Sequence, residues 1–161
     1  MDDFPNLKNP YHFLATLGGI GKIPLAPGTF GSIFSWLIFI FLSHFVNMFY
    51  VTFIGIFLSI WICEMASKNL IHKDHRSIVI DELIGIWIAL LPVLYLADTQ
   101  KERTVYAIAA LLFFRIFDIF KPFPVSYFDE NFKNGTGIVI DDLIAGVMAI
   151  IPSYIILTLL V

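Results

Sequence analysis

The stretch Ser77-Ile78-Val79-Ile80-Asp81-Glu82-Leu83-Ile84 continues as an apolar run to Pro92, and sixty residues later Gly137-Ile138-Val139-Ile140-Asp141-Asp142-Leu143-Ile144 continues to Pro152. From Ile78 to Pro92, eight of fifteen positions are identical in the second copy. Each copy sets two adjacent acids at the head of an apolar run. A carboxylate at the edge of or inside a bilayer loses hydration that only a cation or a positive dipole replaces. The pattern therefore points to an all-α, membrane-embedded helical bundle of about four to five spans, with an internal parallel repeat that builds a cation site.

The rest of the chain agrees with that reading. Apolar residues make up 58% and charged residues 14%, and mean hydropathy is +0.84. Soluble domains carry nearer a quarter charged residues. No charge shift or Ser/Pro-rich linker divides the 161 residues, so a single domain over 1–161 is expected. A net charge of −3 argues against a binder that neutralises nucleic-acid phosphates. The single cysteine, Cys63, excludes an internal disulfide and a multi-cysteine zinc site. The first thirty residues lack a cationic start leading into an apolar run and a cleavage site, so no secretory leader is expected.

Apolar runs fall at 33–41, 48–65, 82–97, 104–120 and 142–161. The first is short for a span of ~17 to 25 residues. Ser43-His44 and Asn47 offer a polar turn, so 33–65 reads as a hairpin rather than one helix. Trp36, Trp61 and Trp87 suit membrane interfaces. With five spans and a cytoplasmic N-terminal segment, Lys8, Lys22, Lys68, Lys73, Arg76, Lys121 and Lys133 lie inside against Lys101 and Arg103 outside, seven against two. That distribution obeys the positive-inside rule. It sets both acidic pairs at the cytoplasmic edge. No Gly-x-x-x-Gly stripe marks a dimer face, so the oligomeric state is not legible.

Asp81-Glu82 and Asp141-Asp142 are expected at N-cap and first-turn positions, where free N–H groups and the helix dipole favour negative charge. Double capping is the plain explanation. Adjacent helical residues point ~100° apart, however, so the second acid of each pair can turn inward while the first caps. Four carboxylates at one edge make a hard, oxygen-rich site suited to Mg²⁺. Arg115, Asp118 and Lys121 follow at i, i+3 and i+6 on one helical face that Pro122 terminates. They read either as an internal ion pair with Lys121 reaching the interface, or as phosphate-binding cations beside a metal ligand. Gly28, Thr29, Gly31 and Ser32 lie in a Pro/Gly-rich turn before the first span; they read as an ordinary turn, or as a place where backbone amides and a hydroxyl cap meet an anion. His75 lies close to Asp81 and is a candidate proton carrier. His12, His44 and His72 have no comparable neighbours. Asp129 reads equally as solvated or catalytic, and Glu64 with Lys68 as an i,i+4 pair.

Together these residues resemble the phosphatidylglycerophosphatase A family. The resemblance rests on Pro27-Gly28-Thr29 with Gly31-Ser32; Asp74-His75 with Ser77-Ile78-Val79 and Asp81-Glu82; Arg115 with Asp118, Lys121-Pro122 and Pro124; Phe128-Asp129; and Gly137-Ile138 with Ile140-Asp141-Asp142. It implies a bacterial inner-membrane enzyme that removes the phosphate monoester of phosphatidylglycerophosphate with Mg²⁺, working at the cytoplasmic face on a phospholipid held in the bilayer. On that resemblance Asp81, Glu82, Asp141 and Asp142 hold one or two ions with Asp118 as further ligand or base. Arg115 and Lys121 steady the phosphoryl oxygens, Gly28, Thr29, Gly31 and Ser32 contact the phosphate, and His75 moves a proton. A helical bundle is implied even where spans fall short of the bilayer. The sequence has neither a Cys-x5-Arg loop nor an Asp-x-Asp motif. Two competing classes remain at this stage. A small ion-binding transporter would place its acids at mid-span, and a structural membrane subunit would leave the Arg115 face without a purpose.

Overall fold

A computed structural model describes residues 4–71, 73–132 and 134–161. His72 and Lys133, which enter the reading above, lie outside the described residues. Among the described residues every regular element is helical: α1 (Pro10–Ala15), a 3-10 turn (Ile20–Lys22), α2 (Pro27–Leu42), α3 (Met48–Ser67), α4 (Ile80–Leu90), α5 (Val93–Leu96), α6 (Gln100–Phe120), α7 (Val125–Asn131) and α8 (Gly135–Leu160).

Polar caps start four of these helices. Asn9, Asn47 and Asn134 accept from backbone N–H groups at the heads of α1, α3 and α8, and Thr99 with Glu102 forms a capping box on α6. The expected hairpin is present: α2 closes at Ser43, and Asn47 opens α3.

The two copies of the repeat part company at their prolines. Pro92 has no N–H to continue the ladder and its ring crowds the preceding turn, so α4 ends at Leu90 and the expected span 82–97 divides into α4 and the short α5. In the second copy α8 runs through Pro152, with the Ser153 hydroxyl donating to Ala149 O at 2.6 Å. Eleven residues of α4 cover only ~16 Å, about half a hydrocarbon core. Among the described residues two helices, α3 and α8, are long and apolar enough to cross a membrane.

α8 is the spine, packed against α3, α4, α6 and α7. The core between them holds Ile84, Trp87, Leu90, Tyr106 and Phe114. Trp87 is a core residue rather than an interfacial one, its indole donating to Ser35 O at 2.9 Å. α4 and α8 cross at glycines: a Cβ on Gly146 would stand 2.3 Å from Gly85 O. Outside this core runs a belt of exposed apolar side chains, including Phe34, Leu37 and Phe41 on α2, Phe53 and Phe57 on α3, Leu112 and Ile119 on α6, and Ile151 and Leu159 on α8. Soluble monomers rarely expose contiguous apolar surface on this scale.

Candidate active site

The heads of α2 and α4, the second turn of α8 and the tail of α6 meet at one end of the bundle. Glycines allow the approach. A Cβ on Gly28 would fall 2.2 Å from Glu82 Oε1, and one on Gly31 would fall 2.9 Å from Val79 Cβ. The loop before α4 is tied down by Val79 N–H donating to Ala15 O at 2.9 Å.

One group of side chains centres on Arg115. Its Nη1 lies 2.5 Å from Glu82 Oε2, 2.6 Å from Asp118 Oδ2 and 3.2 Å from Ser32 Oγ, while Nη2 reaches Thr29 Oγ1 at 3.4 Å. Ser32 Oγ is also 2.7 Å from Glu82 Oε2 and 2.9 Å from Gly28 O. Glu82, Asp118 and Asp142 each offer a carboxylate oxygen within 4.8 Å of the others, an arrangement able to hold a metal ion. Three carboxylates face one guanidinium, leaving negative charge for a cation to offset. Asp142 Oδ2 is buried with no hydrogen-bond partner among the described residues, as a group awaiting a ligand would be.

A second group centres on Lys121, whose Nζ donates to Asp129 Oδ1 at 2.6 Å and Asp141 Oδ2 at 2.7 Å. Lys121 ends α6 in the left-handed region, φ 43° and ψ 55°, a conformation that costs a non-glycine residue ~1 kcal/mol. Burial works against its charge, but the hydrogen bonds it donates to Asp129 and Asp141, with the charges of those carboxylates, outweigh it and hold the ammonium pKa above the ordinary value. Asp74, Asp129 and Asp141 line one small cleft. Asp81 lies close enough to Asp74 and Asp141 to feel their charge, and its Oδ1 accepts from Glu82 N–H at 3.0 Å.

The sequence profile of phosphatidylglycerophosphatase A matches residues 13–157. The chain belongs to the phosphatidylglycerophosphatase A family. A relative of that name from Escherichia coli is 38% identical over 146 residues, covering 89% of this chain and 81% of the relative. Another from Haemophilus influenzae is 38% identical over 152 residues, covering 92% and 90%. A Bacteroides thetaiotaomicron protein with the provisional name of a phosphatidylinositol-3-phosphatase is 35% identical over 155 residues, covering 90% and 94%. No solved structure matches.

In this member of the phosphatidylglycerophosphatase A family, the expected residues Gly28, Thr29, Ser32, Glu82, Asp118 and Asp142 come together around Arg115, while Asp81, Asp141 and Lys121 gather with Asp129 and Asp74; Gly31 instead packs against Val79. His75 joins neither hydrogen-bonded group: its Nδ1 accepts from Ser77 N–H at 3.2 Å, and its ring packs edge-on to Phe4. Burial, reinforced by Arg76 and opposed by Asp74, lowers its pKa. Three local expectations are corrected. Asp141 and Asp142 are not at a helix start, because Asn134 caps α8 and Gly135 begins it, six residues before Asp141; capping therefore cannot explain this pair. Neither Thr29 nor Ser32 caps α2, whose N-cap is Ala26 with no side-chain cap. Glu64 pairs not with Lys68 but with the first-turn N–H of Gly135, at 2.8 Å, where the positive end of α8 attracts a carboxylate. Asp74 and Asp129 were the understated residues. Their place in the quoted motifs was the available signal.

Proposed function

We propose that this chain hydrolyses the phosphate monoester of phosphatidylglycerophosphate, with Mg²⁺ as cofactor, releasing inorganic phosphate and leaving phosphatidylglycerol in the bilayer. Family membership and the names of two relatives support the reaction. Within the chain one observation carries it: Arg115 meets Glu82, Asp118, Ser32 and Thr29 together. A guanidinium fork matches phosphate oxygens, and here it stands inside a carboxylate group able to hold a divalent ion.

Glu82, Asp118 and Asp142 would hold Mg²⁺, with Asp81 and Asp141 one residue away on the same helices. When bound, Mg²⁺ supplies positive charge that offsets the phosphate dianion and acidifies the attacking water. Arg115 draws the phosphoryl oxygens and stabilises charge that builds on them. The uncapped first turn of α2 adds backbone donors, with Thr29 and Ser32 beside it. Asp118 is the residue in this group suited to accept the proton of water as it attacks phosphorus, and that proton passes to the departing glycerol oxygen. Lys121 holds Asp129 and Asp141 and keeps their charge from repelling the dianion.

The placement proposed is the bacterial inner membrane, crossed four to five times, with this end of the bundle at the cytoplasmic edge. The exposed apolar belt and the seven-to-two division of basic residues support it. The test is phosphate release by the purified protein in detergent from phosphatidylglycerophosphate, phosphatidic acid and phosphatidylinositol 3-phosphate, with Mg²⁺ and with chelator. Release from the first, abolished by chelator, is expected; undiminished release in excess chelator would sink the metal assignment, and none from the first substrate would sink the reaction.

A further inference from the structure

Three of the helices that meet at the candidate site, α2, α4 and α6, bound a second cavity at their opposite ends. It has a volume of about 340 Å³ and lies between the C-terminal half of α2, the junction of α4 and α5, and the first turns of α6. Arg103 at its rim and Arg115 at the carboxylates are separated by ~18 Å along α6 at 1.5 Å per residue. The walls include Phe39, Leu90 and Leu94, and the rim includes Arg103 and Thr104.

Arg103 is exposed and makes no ion pair among the described residues. Its Nε donates to Ala97 O at 3.2 Å, which fixes the guanidinium at the cavity mouth. The neighbouring acid is committed elsewhere: Glu102 Oε2 accepts from the N–H groups of Asp98 and Thr99 at 2.7 and 3.1 Å. The site thus joins an apolar chamber to an unneutralised cation, the recognition chemistry of an amphiphile with an anionic head. The apolar belt surrounds the bundle, and long basic side chains at helix ends reach toward headgroups.

We propose that this cavity binds one anionic phospholipid of the leaflet opposite the carboxylate site, its phosphate on Arg103 and an acyl chain against Phe39, Leu90 and Leu94. The proposal rests on the membrane placement above and not on the phosphatase reading. It is tested on the full chain in phosphatidylcholine vesicles containing phosphatidylglycerol with a diazirine on one acyl chain, the labelled peptides being mapped by mass spectrometry. Labelling is expected on the segments holding Phe39 and residues 90–94, competed by unlabelled phosphatidylglycerol but not by extra phosphatidylcholine. It should fall at least about fivefold, a loss of ~1 kcal/mol in binding, in Arg103→Ala and in the cavity-filling Leu94→Trp. Vesicle flotation reports insertion separately, so that either inserted variant serves as the reading. Labelling spread evenly over the belt, equal competition by phosphatidylcholine, or unchanged labelling in an inserted variant overturns the proposal. A wild-type chain that does not float overturns the membrane placement and this proposal with it.

Discussion

Gly146 sits so close to Gly85 that a Cβ on the former would stand 2.3 Å from the carbonyl oxygen of the latter. The contact lies about one turn from Asp142 on α8 and one turn from Glu82 on α4, so it governs the separation of those two carboxylates. Gly146→Ala must push backbone against backbone and should cost ~1–3 kcal/mol. Gly55→Ala is the control, because its Cβ would press on the flexible tip of Ile84, at 2.8 Å, and otherwise make only ordinary contact with Trp87, at 4.0 Å. Thermal unfolding in detergent should show the larger fall for Gly146→Ala.

Asp142→Asn keeps shape and removes charge from the group of Glu82, Asp118 and Asp142. Phosphate release should drop by about 10²-fold or more, with helical content by circular dichroism unchanged. A second measurement is independent of turnover: Mg²⁺ should raise the unfolding temperature of the wild type by binding the folded state, and raise it much less in Asp142→Asn.

Arg115→Lys retains the charge and loses the fork that reaches four side chains at once. A single ammonium cannot replace it. Steady-state kinetics should show at least a tenfold loss in kcat/KM, worth ~1.4 kcal/mol of transition-state stabilisation.

Lys121 has a folded pKa above its unfolded one. A raised folded pKa gives stability that is fully present below the unfolded value, about 10.4 for lysine, and lost as pH rises through the folded value. The contribution of Lys121 should therefore be constant from pH 6 to about 9 and fade only in strong alkali. In Lys121→Met the pH dependence of unfolding in that alkaline range should flatten, while stability near neutrality falls because Asp129 and Asp141 lose their shared partner.

His75 has a lowered pKa and makes no hydrogen bond to a site carboxylate among the described residues. The neutral ring should prevail at pH 7, with an NMR titration midpoint below 6.5. His75→Gln should cost less than about tenfold in phosphate release, against ~10²-fold for Asp142→Asn. An equal loss in both would make the imidazole an obligatory proton carrier.

What could be read from the chain followed from chemistry that is local. Paired acids before apolar runs, Arg115 and Lys121 on one helical face, and the Ser43 to Asn47 turn all express spacing and side-chain type. What escaped depends on packing. α8 begins early because Asn134 caps it and Gly135 and Gly137 fit against Glu64 and Phe132, where a Cβ would clash at 2.5 and 1.9 Å. The division of each acidic pair, one member toward Arg115 and the other toward Lys121's neighbourhood, arises from a helix crossing that no single segment encodes. The fate of Pro92 and Pro152 differs for the same reason: identical residues end one helix and ride within another, and only the neighbours decide.

That difference makes the repeated peptide a poor spare part. The first copy ends as a short buried plug and the second extends as a long strut. A lesion in one acidic pair cannot be covered by the other, because each reaches the centre from its own side and at its own helical depth. The likeness of the two peptides buys no redundancy: they are built as two unlike jaws.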